Sequence, residues 1–367
     1  MRFKKILSFA FILLIILIAF TACSKQTPTP VPTATSIPVE SPTVTAVADQ
    51  TSEKDEKSSG TTKKVALLLT GTINDAGWSE SSYKGLMKAK EKYGIETAYT
   101  ENLALVDMES TARDYAAQGY DIIIFSSADF YQAAISVAPD YPNIRFVIVN
   151  GEGAQEPNLA NFRPNTPECG FIAGSFAGLI TKTNKVGMIG GKMLPPVVDA
   201  ANGFTADAKY ANPNAEVVTS YIDSWTDIAK GSEATLAMIE SGVDVVVSNT
   251  GQAALGTIDA AKKKGIYAIG YIEDQHDIAP GTVPFSAIQD IGDLVYASVT
   301  SALSDDFKPE TVLVGAKDNV IRLSDFYTMG DQPVPDEVIA KMKEIYQGIV
   351  DGSLKEQGIL PKSGFEK

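Results

Sequence analysis

The chain is poor in the side chains on which most catalytic and metal sites depend. Its 367 residues include one histidine, His276, and two cysteines, Cys23 and Cys169. One histidine and one free thiol cannot make the usual zinc site, and a Ser/His/Asp triad would depend on that single histidine. His276 stands in Glu-Asp-Gln-His-Asp, a sequence typical of a solvated loop. We therefore expect a protein that is not an enzyme and that holds no metal or cofactor.

Positive charge is also scarce. The chain has 31 Lys and Arg against 45 Asp and Glu, and without residues 1–22, which carry three of the basic side chains and no acidic one, the net charge is −17. Such a chain repels phosphate groups, which argues against nucleic acid and anionic lipid headgroups as partners. Small ligands are not excluded, because their pockets are local.

Glycine-rich phosphate loops are lacking as well. The first turn between a strand and a helix reads Thr70-Gly-Thr-Ile-Asn-Asp75, without the dinucleotide glycine pattern or a phosphate loop. The later stretch Asn249-Thr-Gly-Gln-Ala-Ala-Leu-Gly256 has two glycines after a strand, which indicates only a close approach of the backbone.

The N-terminus predicts export. Arg2, Lys4 and Lys5 precede an apolar run that ends at Phe20, and about 15 apolar residues are too few for a helix that crosses a bilayer. Phe20-Thr-Ala-Cys23 resembles a bacterial lipobox, although leucine is commoner where Phe20 stands. We expect residues 1–22 to be a signal peptide and Cys23 to carry a lipid that anchors the protein outside the cytoplasm. Ordinary signal peptidase cleavage nearby is the alternative.

Residues 23–63 are dense in Thr, Pro and Ser and have almost no large apolar side chains. Such a segment cannot bury enough surface to offset its ordering entropy, so we expect an extended tether. If Cys23 carries the lipid, no disulfide is available. Cys169 is then expected to be a small buried side chain.

From Lys64 onward, apolar runs rich in Val and Ile alternate with helical segments. The predicted strands are Ile122–Phe125, Arg145–Val149, Val186–Ile189, Val243–Val247 and Tyr267–Tyr271, and the predicted helices include Asp107–Gln118, Phe171–Thr181 and Ala253–Lys264. Repeated strand–helix–strand units predict doubly wound parallel sheets, and the length, about 300 residues, predicts two of them. Ligands of such sheets bind beyond the carboxyl ends of the strands.

The stretch Gly-Thr-Ile-Asn-Asp-Ala-Gly-Trp-Ser-Glu, from Gly71 to Glu80, lies beyond the first strand and carries both an aromatic ring and a carboxylate. A ring face and a buried carboxylate suit a flat ligand with N–H donors. The helix that follows is expected to begin near Ser79 with a serine cap. Alternatively, Asp75 is only a turn or cap residue, and Trp78 and Trp225 only fill the edges of the lobes.

With these residues in place, the chain from about Lys64 to Gly358 resembles the basic membrane protein family of lipoproteins, which includes the purine nucleoside receptors of ABC importers. The matching segments are Asn74-Asp-Ala-Gly-Trp78, Glu168-Cys-Gly-Phe-Ile-Ala-Gly174, Val186-Gly-Met-Ile-Gly-Gly191, Trp225-Thr-Asp-Ile-Ala-Lys-Gly231 and Ala268-Ile-Gly-Tyr-Ile-Glu-Asp-Gln275. The resemblance implies that Trp78 and Trp225 face the two sides of a base, that Asp75 binds its edge, and that Gly251 offers its backbone.

Two departures from the family concern the sugar. Nucleoside-binding relatives commonly have an aspartate where this chain has Ile272, and a lysine where it has Gln289. The resemblance therefore implies a free purine base as readily as a nucleoside.

The fold class expected is α/β, a two-lobed periplasmic-binding-protein-like (type I) fold with two doubly wound parallel sheets joined by a hinge. Lobe 1 is expected to comprise residues 64–166 and 284–310, and lobe 2 residues 167–283 and 311–367. The predicted ligand-binding residues are Asn74, Asp75, Trp78, Ser126, Met193, Trp225, Asn249, Gly251, Asp274 and Gln289.

The function expected is capture of a purine base or nucleoside by hinge closure, followed by delivery to the permease subunits of an ABC importer. The alternatives are a secreted enzyme acting on nucleosides and a sensor that presents its closed form to a receptor.

Overall fold

The structure, a computed structural model, describes residues 62–364. The predicted signal peptide, Cys23 and all but the last two residues of the predicted tether lie outside the described residues. Within them, no helix combines the length and the apolar character that crossing a membrane requires.

The described chain alternates between strands and helices. The strands are β1 (Lys64–Leu69), β2 (Glu96–Thr100), β3 (Ile122–Ser126), β4 (Arg145–Val149), β5 (Leu159–Pro164), β6 (Lys185–Gly190), β7 (Glu216–Tyr221), β8 (Val245–Asn249), β9 (Tyr267–Ile272), β10 (Ser286–Gln289), β11 (Thr311–Val314), β12 (Ile321–Leu323), β13 (Thr328–Met329) and β14 (Gln332–Pro333). The helices are α1 (Trp78–Tyr93), α2 (Met108–Ala117), α3 (Tyr131–Val137), α4 (Thr166–Ile180), α5 (Pro195–Ala211), α6 (Ile228–Glu240), α7 (Ala254–Lys264), α8 (Ile291–Leu303), α9 (Asp336–Val350) and α10 (Ser353–Glu356).

The strands form two six-stranded sheets. The first has the order β11-β5-β4-β3-β1-β2 and is parallel throughout. The second has the order β12-β10-β9-β8-β6-β7 and is parallel except for β12, which runs antiparallel to β10 at the edge. Strands β13 and β14 form a separate antiparallel pair. We call each sheet with the helices packed on it a lobe.

Both faces of each sheet are covered, which explains why the strands read as continuous apolar runs. In β1, Leu67 points into a cluster with α1 and α8, whereas Leu68 points into a second cluster with α2 and α3. In the second lobe, Val247 faces α4 and Val246 faces the side of α6 and α7. Strands buried on both faces have no polar side to alternate with, so this pattern indicates a parallel sheet.

The chain crosses between the lobes at three places within the described residues. These places follow β5, β10 and β11, and two of them differ from the expected boundaries. Strand β10 lies in the second sheet beside β9, although its residues were assigned to lobe 1, and β11 lies in the first sheet beside β5, although its residues were assigned to lobe 2. One crossing lies near Asp290, because all four residues of β10 are buried in the second lobe and only the helix after it, α8, packs on α1. The next lies near Gly315, because β11 still pairs with β5 and β12 already pairs with β10.

Helices α4 and α5 touch through their backbones. A Cβ atom at Gly170, Gly174 or Gly178 would lie 1.9, 2.2 or 2.6 Å from the carbonyl oxygens of Ala200, Phe204 and Ala208 on α5. These distances are far below van der Waals contact, so every fourth residue of α4 must be glycine for this approach. The two helices are locked together along three turns.

One carboxylate is buried beside this helix pair. Asp207 on α5 is 0% exposed, and neither carboxylate oxygen has a hydrogen-bond partner among the described residues. Burial raises the pKa of Asp207 well above its ordinary value of 3.8, and the nearby positive charge of Lys341 opposes this only in part. The folded protein therefore keeps this proton at a pH where the unfolded chain has lost it.

The raised pKa of Asp207 makes the folded protein less stable as pH rises. Stability from this group is present in full below the ordinary pKa and is lost as pH rises toward the folded pKa. Asparagine does not titrate, so Asp207→Asn should gain stability relative to the parent as pH rises from about 4 to 8, by about 1.4 kcal/mol for each unit of pKa difference within that window. Urea unfolding at several pH values measures this, with the exposed Asp305→Asn as the matched control. Parallel curves for Asp207→Asn and the parent would contradict the assignment.

Candidate functional site

A cavity lies between the carboxyl ends of the strands of both lobes. It encloses about 600 Å³ of empty space, including the open space at its mouth. We call it the inner cavity, and its lining residues are Thr70, Gly71, Asp75, Trp78, Ser79, Ser127, Ala128, Asn150, Thr166, Leu194, Pro196, Val197, Trp225, Asn249 and Gln289. Five of the ten predicted residues are among them. The cavity is narrow, and much of this space belongs to its open mouth.

Trp78 is the first residue of α1 and is held from lobe 1. Its indole N–H donates to the carbonyl oxygen of Ser126 at 2.8 Å and lies 3.1 Å from the Ser126 hydroxyl oxygen. That hydroxyl lies 2.8 Å from the hydroxyl of Ser82, one turn along α1. The polar edge of the ring is thus bonded to protein, and what Trp78 offers to the cavity is its aromatic surface. Ser126 contributes by orienting the ring and does not itself line the cavity.

Trp225 follows β7 and is supported from lobe 2. A Cβ atom at Gly191 would lie 2.2 Å from the indole ring, so the ring lies directly against this glycine. At Gly251, which has φ +58°, a Cβ atom would lie 3.0 Å from the Trp225 carbonyl oxygen. The Trp225 N–H donates to the carboxylate of Asp129, which belongs to lobe 1. Gly251 was predicted to meet the ligand, but it lies outside the lining and makes room for Trp225.

Asp75 forms a cap for the N-terminus of α1. Its carboxylate accepts hydrogen bonds from the backbone N–H groups of Gly77, Ser79 and Glu80, at 2.9–3.0 Å. The helix begins at Trp78, and the capping group is this aspartate, whereas a serine was expected. Burial raises the pKa of Asp75 even though the three amides oppose the shift. A fourth hydrogen bond comes from the Ser79 hydroxyl group, so protein groups occupy the roughly four acceptor positions of this carboxylate.

Three further oxygens of the lining are buried and have no hydrogen-bond partner among the described residues. They are Asn150 Oδ1, Thr166 Oγ1 and Gln289 Oε1. Asn150 follows β4, Thr166 begins α4, and Gln289 ends β10, so two of the three stand at crossings between the lobes. A buried polar atom without a partner costs about 1–3 kcal/mol. N–H or O–H groups of a bound molecule would remove that cost.

Besides Ser126 and Gly251, three further predicted residues lie outside the inner cavity. Asn74 is exposed at the tip of its turn, and Met193 is 72% exposed. Asp274 is also exposed, and its carboxylate accepts hydrogen bonds from the hydroxyl groups of Ser286 and Tyr327, which hold it away from the cavity. These placements correct the prediction that the three side chains contact a ligand.

The loop after β9 carries the apolar Ile272 where the family resemblance implies an aspartate. Ile272 is buried and has φ +76°, a left-handed conformation that strains a β-branched residue. Its neighbour Glu273 binds Lys84 at 3.4 Å. Neither Ile272 nor Glu273 lines the inner cavity.

The remaining sequence predictions concern reactive groups. Among the described residues, no group of three or more His, Cys, Asp and Glu side chains could hold a metal ion. Cys169 is free and fully buried, as expected, and burial raises the pKa of its thiol to about 12. His276 differs from the expectation of a solvated loop. Its ring is stacked on Tyr327 with 3.7 Å between ring centroids, and its Nδ1 lies 2.9 Å from the Val283 oxygen.

Residues 62–354 match the family model of the ABC transporter substrate-binding proteins that are PnrA-like, also called Bmp. The chain belongs to this family. The resemblance to basic membrane proteins is thereby confirmed, and so is the prediction that the protein is a binding protein and not an enzyme, because this PnrA-like family consists of substrate-binding proteins.

The chain is also similar to three known proteins. It is 31% identical over 310 residues to the transcriptional activator protein Med of Bacillus subtilis, covering 83% of this chain and 92% of that one. It is 26% identical over 299 residues to a purine-binding protein of Brucella abortus, covering 80% and 85%. A solved solute-binding protein of an ABC transporter system from Aeropyrum pernix superposes with a TM-score of 0.71 at 20% identity, covering 79% and 92%.

The two-lobed periplasmic-binding-protein-like fold is confirmed by this structural likeness and by the two sheets. A PnrA-like substrate-binding protein of an ABC transporter works outside the cytoplasm, takes a small-molecule ligand and has permease subunits as partners.

Proposed function

We propose that this protein is a lipid-anchored receptor that captures a purine base or purine nucleoside in the inner cavity and delivers it to an ABC permease. The observation that carries the proposal is that both tryptophans of the chain line one narrow cavity with their N–H groups bonded to protein. Each ring then offers a face and no polar edge. Two such faces suit a flat heterocycle, since stacking on one aromatic ring contributes about 1–3 kcal/mol.

The polar groups of the cavity support a neutral ligand with hydrogen-bond donors. The open oxygens of Asn150, Thr166 and Gln289 accept N–H or O–H groups. Of the described residues that line the inner cavity, none is Lys or Arg, so a nucleotide phosphate would be buried without a countercharge. The likeness to a purine-binding protein supports the same class of ligand.

Trp78→Ala and Trp225→Ala test the stacking role. Each should weaken binding of hypoxanthine or its nucleoside by about 1–3 kcal/mol, because one ring face is lost. Isothermal titration calorimetry measures the affinity, and the melting temperature without ligand reports the fold. Tyr99→Ala, which removes a partly exposed aromatic ring outside the lining, is the matched control. A large loss of melting temperature with unchanged affinity would show that the tryptophans only fill space.

A comparison of bases with nucleosides tests how the second part of a ligand is held. Ile272 and Gln289 replace the charged residues of nucleoside-binding relatives, and the nearby carboxylates of Glu273 and Asp274 are bound elsewhere. Ribose hydroxyl groups without good partners cost about 1–3 kcal/mol each. We therefore expect hypoxanthine to bind at least as tightly as inosine in calorimetry. If inosine binds about tenfold more tightly, a difference of about 1.4 kcal/mol, the neutral oxygens of the cavity hold the sugar.

Lipid anchoring at Cys23 is tested by Cys23→Ser. Without the thiol no lipid can be attached, so we expect the variant in the medium or soluble fraction with hypoxanthine affinity unchanged. Fractionation followed by immunoblotting measures this, and retention of the variant in the membrane fraction would contradict the anchor.

A second candidate function is favoured by the likeness to a protein named as a transcriptional activator. In this alternative the ligand-closed form is presented to a membrane receptor and no import follows. Uptake of labelled hypoxanthine in cells with and without the gene separates the two. Equal uptake with an altered transcriptional response favours the sensor.

A further inference from the structure

One carboxylate of lobe 1 makes all its hydrogen bonds to lobe 2. Asp129 follows β3, and its two oxygens each lie 3.1 Å from Lys192 Nζ, while one of them also accepts the indole N–H of Trp225. Lys192 follows β6 and Trp225 follows β7. Among the described residues the Asp129 carboxylate has no hydrogen-bond partner in its own lobe. Its side chain is nevertheless only 5% exposed, so its shielding depends on the lobes being together.

This group of three side chains lies between two cavities. A second cavity, which we call the outer cavity, contains about 690 Å³ of empty space and is lined by Asn102 and Leu103 after β2 and by Asp223 and Ser224 after β7, among others. Of these two cavities, Asp129 and Lys192 line the outer one and not the inner one, whereas Trp225 lines both. The ion pair therefore lies on the outward side of the ring that bounds the inner cavity.

The partners of Asp129 lie on the side of the second sheet that is far from the crossings between the lobes. The crossings between the lobes follow β5, β10 and β11, at one edge of each sheet, whereas β2 and β7 form the opposite edges. Lys192 and Trp225 follow β6 and β7, the two strands of the second sheet that are farthest from the crossings. Hinge opening separates the lobes most on that side, so contacts made there respond most strongly to opening.

We propose that Asp129 and Lys192 are positioning residues for Trp225 and together form a latch that seats the ring over the inner cavity and closes its outward side when the lobes meet. The latch rests on the inner cavity being the ligand site, as proposed above. Closure brings the carboxylate, the ammonium and the indole N–H together. Opening exposes all three to water and frees the Trp225 ring from the Asp129 side.

The energetics favour an effect on retention of the ligand. A shielded ion pair adds little net stability because each charge loses water when it is buried. Removing one partner, however, leaves the other buried and unpaired in the closed form, and such truncations act mainly on dissociation. Asp129→Asn and Lys192→Met should therefore loosen the closed form, and the double variant should lie closer to the parent than either single variant, because it leaves no charge buried and unpaired.

The lobes provide a second interaction that serves as the matched control. Lys84 of lobe 1 and Glu273 of lobe 2 also form an ion pair, at 3.4 Å, but their side chains are 55% and 27% exposed and neither lines the inner cavity. Exposed pairs contribute little. Lys84→Met should accordingly leave closure unchanged.

Distances between spin labels on the two lobes test the latch without any ligand. Labels at Val106→Cys, beyond β2, and Lys230→Cys, beyond β7, report opening at the far edge in a chain that also carries Cys23→Ser. Cys169 stays unlabelled because it is fully buried and its thiol pKa is about 12. We expect Asp129→Asn and Lys192→Met to shift the ligand-free distances to longer values, and Lys84→Met to leave them as in the parent.

Stopped-flow dissociation of hypoxanthine gives the second readout. We expect release to become at least about tenfold faster in Asp129→Asn and Lys192→Met. Trp225→Phe, which keeps the ring but lacks the N–H, should show a smaller change in the same direction. Unchanged distances in both latch variants would overturn the proposal, whatever the purine measurements show. Shifted distances together with no binding of hypoxanthine by the parent would support the latch and count against the proposed ligand alone.

Discussion

Parallel pairing within each sheet is the constraint on which the rest of the structure depends. Because neighbouring strands other than β12 run in the same direction, the loops that follow them all emerge on one side of the sheet, at the carboxyl ends of its strands. The crossings after β5, β10 and β11 bring the carboxyl ends of the two sheets to face each other. Side chains as distant in sequence as Trp78, Asn150, Trp225 and Gln289 then line one cavity. Short loops are enough to bring these side chains together, because parallel strands already place their carboxyl ends side by side.

The fold was predictable because its strands are buried on both faces. Runs such as Ile122–Phe125 and Arg145–Val149 have no polar alternation, and they became β3 and β4 nearly as expected. Strand β5 was missed because Leu-Ala-Asn-Phe-Arg-Pro contains polar residues that find their partners only in the folded protein. Asn161, for example, bonds the backbone of Gly151 through both ends of its amide. The exchange of β10 and β11 between the sheets depends on pairing partners far along the chain, which local patterns do not contain.

The lining of the cavity was predictable in part, from residues that directly follow predicted strands, such as Asp75 and Asn249, and from the rare tryptophans. The two tryptophans stood out in polar loops, and both line the inner cavity. Thr166 was missed together with β5, whose end it follows. Asn150 stands directly after a strand that had been identified, so inspecting every strand end would have found it. The contacts of Asp129 could not be inferred, because an aspartate in a loop has many possible partners and its two partners belong to the other lobe.

The contact between α4 and α5 determines how a displacement at the cavity wall is transmitted through the second lobe. Helix α4 begins at Thr166, directly after a crossing between the lobes. The first turn of α5 contains Pro196 and Val197, which line the inner cavity together with Thr166. Backbone against backbone leaves no flexible side chain between the two helices to absorb a displacement. The two helices therefore move as one rigid unit. One part of this unit lines the cavity, and another part begins at the crossing after β5. A molecule pressing on the cavity wall thus acts directly on the angle between the lobes.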